Sequence, residues 1–187
     1  MSVELSGRDA LVIVDVQNDF CPGGALPVPE GDRVIPVLNR WIDAAGAVGA
    51  AVFASRDWHP ANHISFRGRG GPWPPHCVQG THGAELHAGL RLPEDAVVID
   101  KGTDPDRDAY SAFDGTPLSR LLKERCSERL FVGGLALDYC VKATVLDGLR
   151  EGFEVHLIRD ATRAVEVEPG DGERALEAMR KAGAIVE

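Results

Sequence analysis

The sequence has 187 residues, 44% of them hydrophobic, which suffices for one domain with a full core over residues 1–187 and is too short to suggest two. Its formal net charge of −9 and pI near 5.1 argue against nucleic acid or an anionic membrane as partner, because both are bound through cationic surfaces. A small-molecule partner is expected instead. The cysteines at 21, 77, 126 and 140 contain no CxxC pair, so neither a cystine scaffold nor a structural disulfide is expected. The start lacks a basic, then long apolar, secretion signal, and no apolar run approaches the roughly 20 residues of a membrane span. The cytoplasm is the expected location, and a homo-oligomer is left open.

Residues 10–16, ALVIVDV, form an almost unbroken aliphatic run of the kind that a strand covered on both faces requires. Asp15 near its end is costly to bury unless it is paired or used. The Gly- and Pro-rich stretch that follows predicts a loop. Asp32 is placed to cap a helix with apolar positions Val34, Leu38, Trp41, Ile42 and Ala45, ended by Gly46 or Gly49. Residues 50–54 are a second strand, running into Ser55, Arg56, Asp57, Trp58 and His59. Residues 60–85 show little periodicity but much Gly, Pro and His, and so long a loop in a compact domain points to function.

A third strand at 96–100 delivers Lys101, and a helix is predicted over 118–124. The apolar run 130–132 is stopped by Gly133 and Gly134, and a helix carrying Cys140 then continues to about Arg150. A fifth strand at 153–158, an amphipathic helix at 171–182 and a short strand at 184–186 complete the chain. This alternation predicts an α/β fold, a mostly parallel central sheet of about six strands between layers of helices. Ligands of such sheets collect beyond the carboxyl ends of the strands. Asp15, Asp57 with His59, Lys101 and the turn to Cys140 all follow strand ends.

Two constellations carry chemistry. In the first, Cys140 falls in the opening turn of its helix, where unpaired N–H groups and the helix dipole favour a thiolate. A carboxylate such as Asp15 can take a thiol proton and return it to a leaving amine, while the Lys101 ammonium keeps that carboxylate ionised. In the second, Asp57, His59, His63 and His76 offer one carboxylate and three imidazoles, which suit zinc, iron or manganese better than calcium or magnesium. His82, His87 and His156 lack such spacing and are expected to be solvated or core histidines.

The chain closely resembles the nicotinamidases, also called pyrazinamidases, of the isochorismatase-like cysteine hydrolases. The matching segments are DVQNDF at 15–20, RDWHPANHISF at 56–66, WPPHCVQGT at 73–81, KG at 101–102, AYSAF at 109–113 and GLALDYCVKAT at 134–144. The resemblance implies a triad of Asp15, Lys101 and Cys140, and one divalent metal ion, zinc first, on Asp57, His59, His63 and His76. It implies a ring pocket walled by Phe20, Trp73 and Tyr110, with Leu135 beside it. It further implies a cis peptide between Leu135 and Ala136 that turns the N–H groups of Ala136 and Cys140 toward the substrate oxygen. The expected activity is deamidation of nicotinamide through a thioester in NAD salvage, with pyrazinamide as a second substrate. The alternatives are a sibling hydrolase acting on another small amide or carbamoyl compound, a non-catalytic binding module and a zinc-stabilised structural domain. The charged segment 104–108, DPDRD, leaves the role of Tyr110 open, and Tyr139 is assigned none.

Overall fold

A computed structural model describes residues 5–187; the first four residues of the expected domain lie outside the described residues. Its strands are β1 (Asp9–Val14), β2 (Ala51–Asp57), β3 (Val97–Lys101), β4 (Arg129–Leu135), β5 (Glu154–Arg163) and β6 (Ile185–Val186). They form one sheet in the order β3-β2-β1-β4-β5-β6, with every pairing parallel. The helices are α1 (Val34–Val48), α2 (Leu118–Glu124), α3 (Lys142–Arg150) and α4 (Asp171–Ala182).

Side-chain alternation along β1 divides the core in two. Leu11 and Ile13 join Val34, Leu38, Ile42 and Ala45 of α1 on one face. Ala10, Val12 and Val14 join Leu118 and Leu122 of α2, Val145 of α3 and Leu176 and Met179 of α4 on the other. Because β1 is covered on both sides, all six of its residues are buried, which is why it is written in aliphatic residues without a polar face. The three-layer α/β/α fold expected from the sequence is the observed one.

Strand order reverses at β1, which is flanked by β2 and β4, so the crevice beyond the ends of β1 and β4 is the natural ligand site. At that point Gly134 pairs with Val14 and has φ +124°; a Cβ there would run into the Val14 backbone. Only glycine lets the two strands approach so closely.

Several local expectations are corrected. Asp32 does not cap α1: residues Gly31–Arg33 form a 3-10 turn, the N-cap is Arg33, and no side chain bonds there. Gly46 lies inside α1, which ends at Gly49 in the left-handed region, its N–H returning to Ala45 and Gly46. Strand β5 runs five residues past the expected end at 158, because a register shift places Val132 opposite Leu157 but Gly134 opposite Thr162. That bulge breaks the alternation a sequence reading follows. The helix of Cys140 opens with a π-turn, Leu137–Val141, before α3. Residues 60–85 are largely irregular but pinned by isolated bridges between Gln17 and Leu86, His59 and Val78, and Phe66 and Trp73. Among the described residues no helix is long and apolar enough to cross a membrane.

Candidate active site

Four strand ends converge as the sequence predicts. Asp15 follows β1 with φ +50°, Asp57 ends β2, Lys101 ends β3, and Cys140 follows β4 through the cis peptide Leu135–Ala136. Asp15 and Lys101 are fully or almost fully buried. Lys101 Nζ lies 2.9 Å from Asp15 Oδ2, 2.5 Å from Asp57 Oδ1 and 3.6 Å from Cys140 Sγ, and also donates to the Ala109 carbonyl. One oxygen each of Asp15 and Asp57 and the sulfur of Cys140 lie within 4.8 Å of one another.

Burial alone would discharge Lys101, but the carboxylates of Asp15 and Asp57 outweigh it and hold the group as an ammonium. Burial likewise pushes the Asp15 carboxyl up, against the pull of Lys101 and with a push from Asp57. Asp15 Oδ1 accepts the Ser55 hydroxyl at 2.7 Å. Its Oδ2 meets Lys101 as an ion pair but not along a hydrogen-bond direction, so an acceptor site remains open. Such an oxygen is built to take a proton.

The surroundings of Cys140 oppose the thiolate that its helix position favours. Burial and the two carboxylates push its thiol well above its ordinary value, and Lys101 opposes them only in part. The nucleophile therefore rests as a thiol and needs a base. Helix position favours the thiolate, and of the two anions facing the sulfur only Asp15 is foreseen from the sequence; Asp57 is brought there by the fold.

The second constellation meets the first at Asp57. Asp57 Oδ2 is 3.5 Å from His59 Nε2 and 4.0 Å from His76 Nε2, and these three residues present donor atoms to one point. The Nδ1–H of His59 donates to the Gly102 carbonyl at 2.9 Å, and that of His76 to the Pro74 carbonyl at 2.8 Å. Both rings thus turn a bare Nε2 lone pair inward, the arrangement that metal-ligating imidazoles adopt. Gly102 is in the left-handed region, and any Cβ there would collide with the His59 ring. Burial disfavours the Asp57 carboxylate, yet the Lys101 ammonium holds it well below the usual carboxylate range, as a ligand requires.

His63 is placed differently. Its ring stacks on His59 at 4.0 Å, but its Nε2–H donates to the Arg107 carbonyl and its Nδ1 faces the hydroxyl and N–H of Ser65. Three of the four expected ligands therefore converge, and the donor set of one carboxylate and two imidazoles fits a divalent cation. His82 is exposed, His87 is half-buried, and His156 is buried on Phe131 between Glu154 and Glu187, all away from this cluster. All four cysteines are free.

A cleft with about 400 Å³ of empty volume, partly open to solvent, reaches both Cys140 and the pair Asp57 and His76. Phe20, Trp73 and Tyr110 wall it as expected, and the Trp73 indole N–H donates to the Tyr110 hydroxyl at 3.1 Å. The charged segment after Lys101 braces the metal loop, with Pro105 accepting from Ile64 and Arg69 pairing with Asp106, and leaves Tyr110 in the cleft. The Leu135 side chain is instead fully buried in the core, behind the cleft. Tyr139, Leu26, Val28 and Val165 complete the walls without having been singled out. Tyr139 packs edge-on to Trp73 with centroids 5.2 Å apart.

Two residues of the DVQNDF segment were also missed. The Gln17 amide accepts the Asp57 N–H and donates to the Asp57 carbonyl, each at 2.8 Å, as a strand neighbour would. Asp19 accepts the N–H of Cys77 at 2.7 Å and of Ala25 at 3.0 Å, fixing the chain beside His76. Polar residues following a buried strand were the available clue.

Relatives identify the family and share the fold. The isochorismatase domain pattern matches residues 9–187. The nicotinamidase of Escherichia coli (strain K12) is 46% identical over 198 aligned residues, covering 95% of this chain and 93% of that one. The crystal structure of the pyrazinamidase of Pyrococcus horikoshii in complex with zinc superposes with a TM-score of 0.92 at 54% identity, covering 96% and 98% of the two chains. That of PnC1 from L. infantum in complex with nicotinate gives 0.91 at 39% identity, covering 100% and 96%. A domain match across nearly the whole chain, joined to such identities, makes this protein a member of the isochorismatase family.

Proposed function

We propose that this chain is a metal-dependent cysteine amidohydrolase that converts nicotinamide to nicotinate and ammonia, accepts pyrazinamide, and serves NAD salvage in the cytoplasm. The observation that carries this reading is a single cleft bounded by the Cys140 thiol at one end and the Asp57 and His76 donors at another, with aromatic walls between. The close relatives act on these substrates by name, and the four free cysteines accord with a reducing compartment.

Phe20, Trp73, Tyr110 and Tyr139 would sandwich a flat heterocycle and present its carboxamide carbon to Cys140. Asp15 Oδ2 takes the thiol proton as the sulfur attacks, forming the C–S bond. Lys101 stays charged throughout and offsets the negative charge that the transfer gathers around the sulfur. The N–H groups of Ala136 and Cys140 are assigned to the developing oxyanion, a role in which one donor contributes about 2.7 to 4 kcal/mol. As the C–N bond breaks, Asp15 returns its proton to the departing ammonia. Water then adds to the thioester, the C–S bond breaks, and nicotinate leaves with the thiol restored.

Asp57, His59 and His76 would hold the divalent cation, zinc first, with His63 supporting His59 by stacking. When bound, that cation supplies a Lewis-acid contact for a ring nitrogen, chiefly orienting the substrate. A sibling activity on a carbamoyl compound would use the same triad but leave the aromatic walls and donor cluster without purpose.

The test is steady-state ammonia release from nicotinamide and from several unrelated amides, with metal content measured on the same samples. Preference for nicotinamide, abolished by Cys140→Ala with an unchanged circular dichroism spectrum, is the expected result. Equal turnover of all amides, or activity that survives Cys140→Ala, would overturn the reading.

A further inference from the structure

One buried carboxylate beside the nucleophile faces away from the reacting atoms and yet holds part of the cleft. Asp138 stands in the π-turn two residues before Cys140 and is 6% exposed. Its Oδ1 accepts the Val165 N–H at 2.9 Å and its Oδ2 accepts the Glu166 N–H at 3.0 Å. Both amides belong to the segment that joins β5 to α4, 27 and 28 residues further along the chain. Glu166 itself is in the left-handed region at φ +56°. Its carboxylate accepts the N–H of Gly170 at 2.7 Å and of Gly172 at 2.9 Å, so the segment is tied a second time to the start of α4.

Apolar burial does little to hold this segment. Glu166, Val167, Glu168 and Pro169 are exposed, Val167 at 60%. Ala164 packs against one apolar cluster, and Val165 lines the substrate cleft together with Cys140 and packs against the other, which contains Phe20. The two charge-assisted bonds to Asp138 therefore fix where this wall stands relative to the sulfur. They also satisfy both oxygens of a buried carboxylate.

We infer that Asp138 is a positioning residue for substrate selection, holding the backbone of Val165 so that its side chain closes the cleft around a small flat amide. The inference rests on the nicotinamidase reading only for the choice of substrate. Asp138 touches neither the triad nor the metal donors in this role; it acts through the backbone of the residue it holds. Replacement by Asn keeps one acceptor but aims an NH2 group at the second N–H.

The experiment compares wild type, Asp138→Asn, Val165→Ala and Val165→Leu on nicotinamide and on a nicotinamide whose ring carries one added methyl group. Asp138→Asn is expected to raise KM for nicotinamide about 5- to 10-fold with kcat held within about twofold. Both Asp138→Asn and Val165→Ala are expected to shift the kcat/KM ratio about 10-fold toward the methylated ring, and Val165→Leu to shift it the other way, as a wall contact of one methyl group allows. Amide hydrogen exchange at Val165 and Glu166 is expected to speed at least 10-fold in Asp138→Asn. A loss of kcat at unchanged KM would instead make Asp138 an electrostatic support of Cys140 and overturn the inference. Unchanged selectivity in both Val165 variants would overturn it even if Asp138→Asn fails to fold. Failure of the wild type on nicotinamide would sink the functional reading alone, and the exchange measurement would then decide the role of Asp138.

Discussion

Asp57 and Lys101 meet at 2.5 Å through Oδ1 and Nζ, while Asp57 Oδ2 faces His59 and His76. One carboxylate therefore belongs both to the charge cluster around the thiol and to the metal donors. Removing the ammonium would leave Asp15 and Asp57 buried against each other.

Lys101→Met is accordingly expected to cost stability as well as activity. Leaving a buried charge without its partner costs about 3 kcal/mol or more, and loss of the group that keeps Asp15 ionised lowers kcat by about 10³. Urea unfolding and steady-state rates check both effects. A variant with native stability would show that Lys101 does not bridge the two acids.

Metal content separates the imidazoles. His76→Ala is expected to lower the stoichiometry of bound metal in the purified protein, because its Nε2 points at Asp57. His63→Ala is expected to retain most of it, since both His63 nitrogens are occupied by Ser65 and Arg107. Equal loss in the two variants would support ligation by all four residues.

Chelation should abolish turnover while far-ultraviolet circular dichroism stays native, because two apolar clusters hold the sheet independently of the donors. Adding metal back at about 1,000 times its dissociation constant should raise stability by about 4.1 kcal/mol. Unfolding on chelation would favour a structural metal.

At the opposite end of β1, Asp9 receives two bonds from Arg129, at 2.8 and 2.7 Å, and one from the Ser6 N–H at 2.6 Å. Burial acts to raise its pKa, but these donors win and hold the carboxyl below its ordinary value. A group depressed in the folded state stabilises fully above its unfolded pKa of about 3.9 and loses that contribution as pH falls through the folded value. Asp9→Asn should therefore cost about 2 kcal/mol at neutral pH, with the gap narrowing below about pH 4. Urea unfolding at both pH values measures it, and a constant gap would refute the linkage.

Gly134→Ala should destabilise by about 2 kcal/mol or more, since φ +124° is strained for alanine. Its methyl group would meet the Val14 backbone. Because β4 carries the turn to Cys140, activity should fall further than stability explains. Thermal unfolding and kcat together check this.

Much of this protein is determined locally. The aliphatic runs of β1 and β4, the helical spacing in α1 and α4, and polar groups placed just after strands specified a parallel α/β sheet with Asp15, Asp57, Lys101 and Cys140 at one edge. Burial of apolar faces at periods of 2 and 3.6 residues is written directly in the order of side chains. What the sequence could not specify were features set by through-space distance. The protonation of Cys140 depends on two anions brought from β1 and β2. The turning of His63 toward Arg107, the burial of Leu135 behind the cleft and the hold of Asp138 on Val165 each join segments far apart in the chain. Electrostatic and hydrogen-bond energies follow separation and direction in space, and only the folded sheet fixes those.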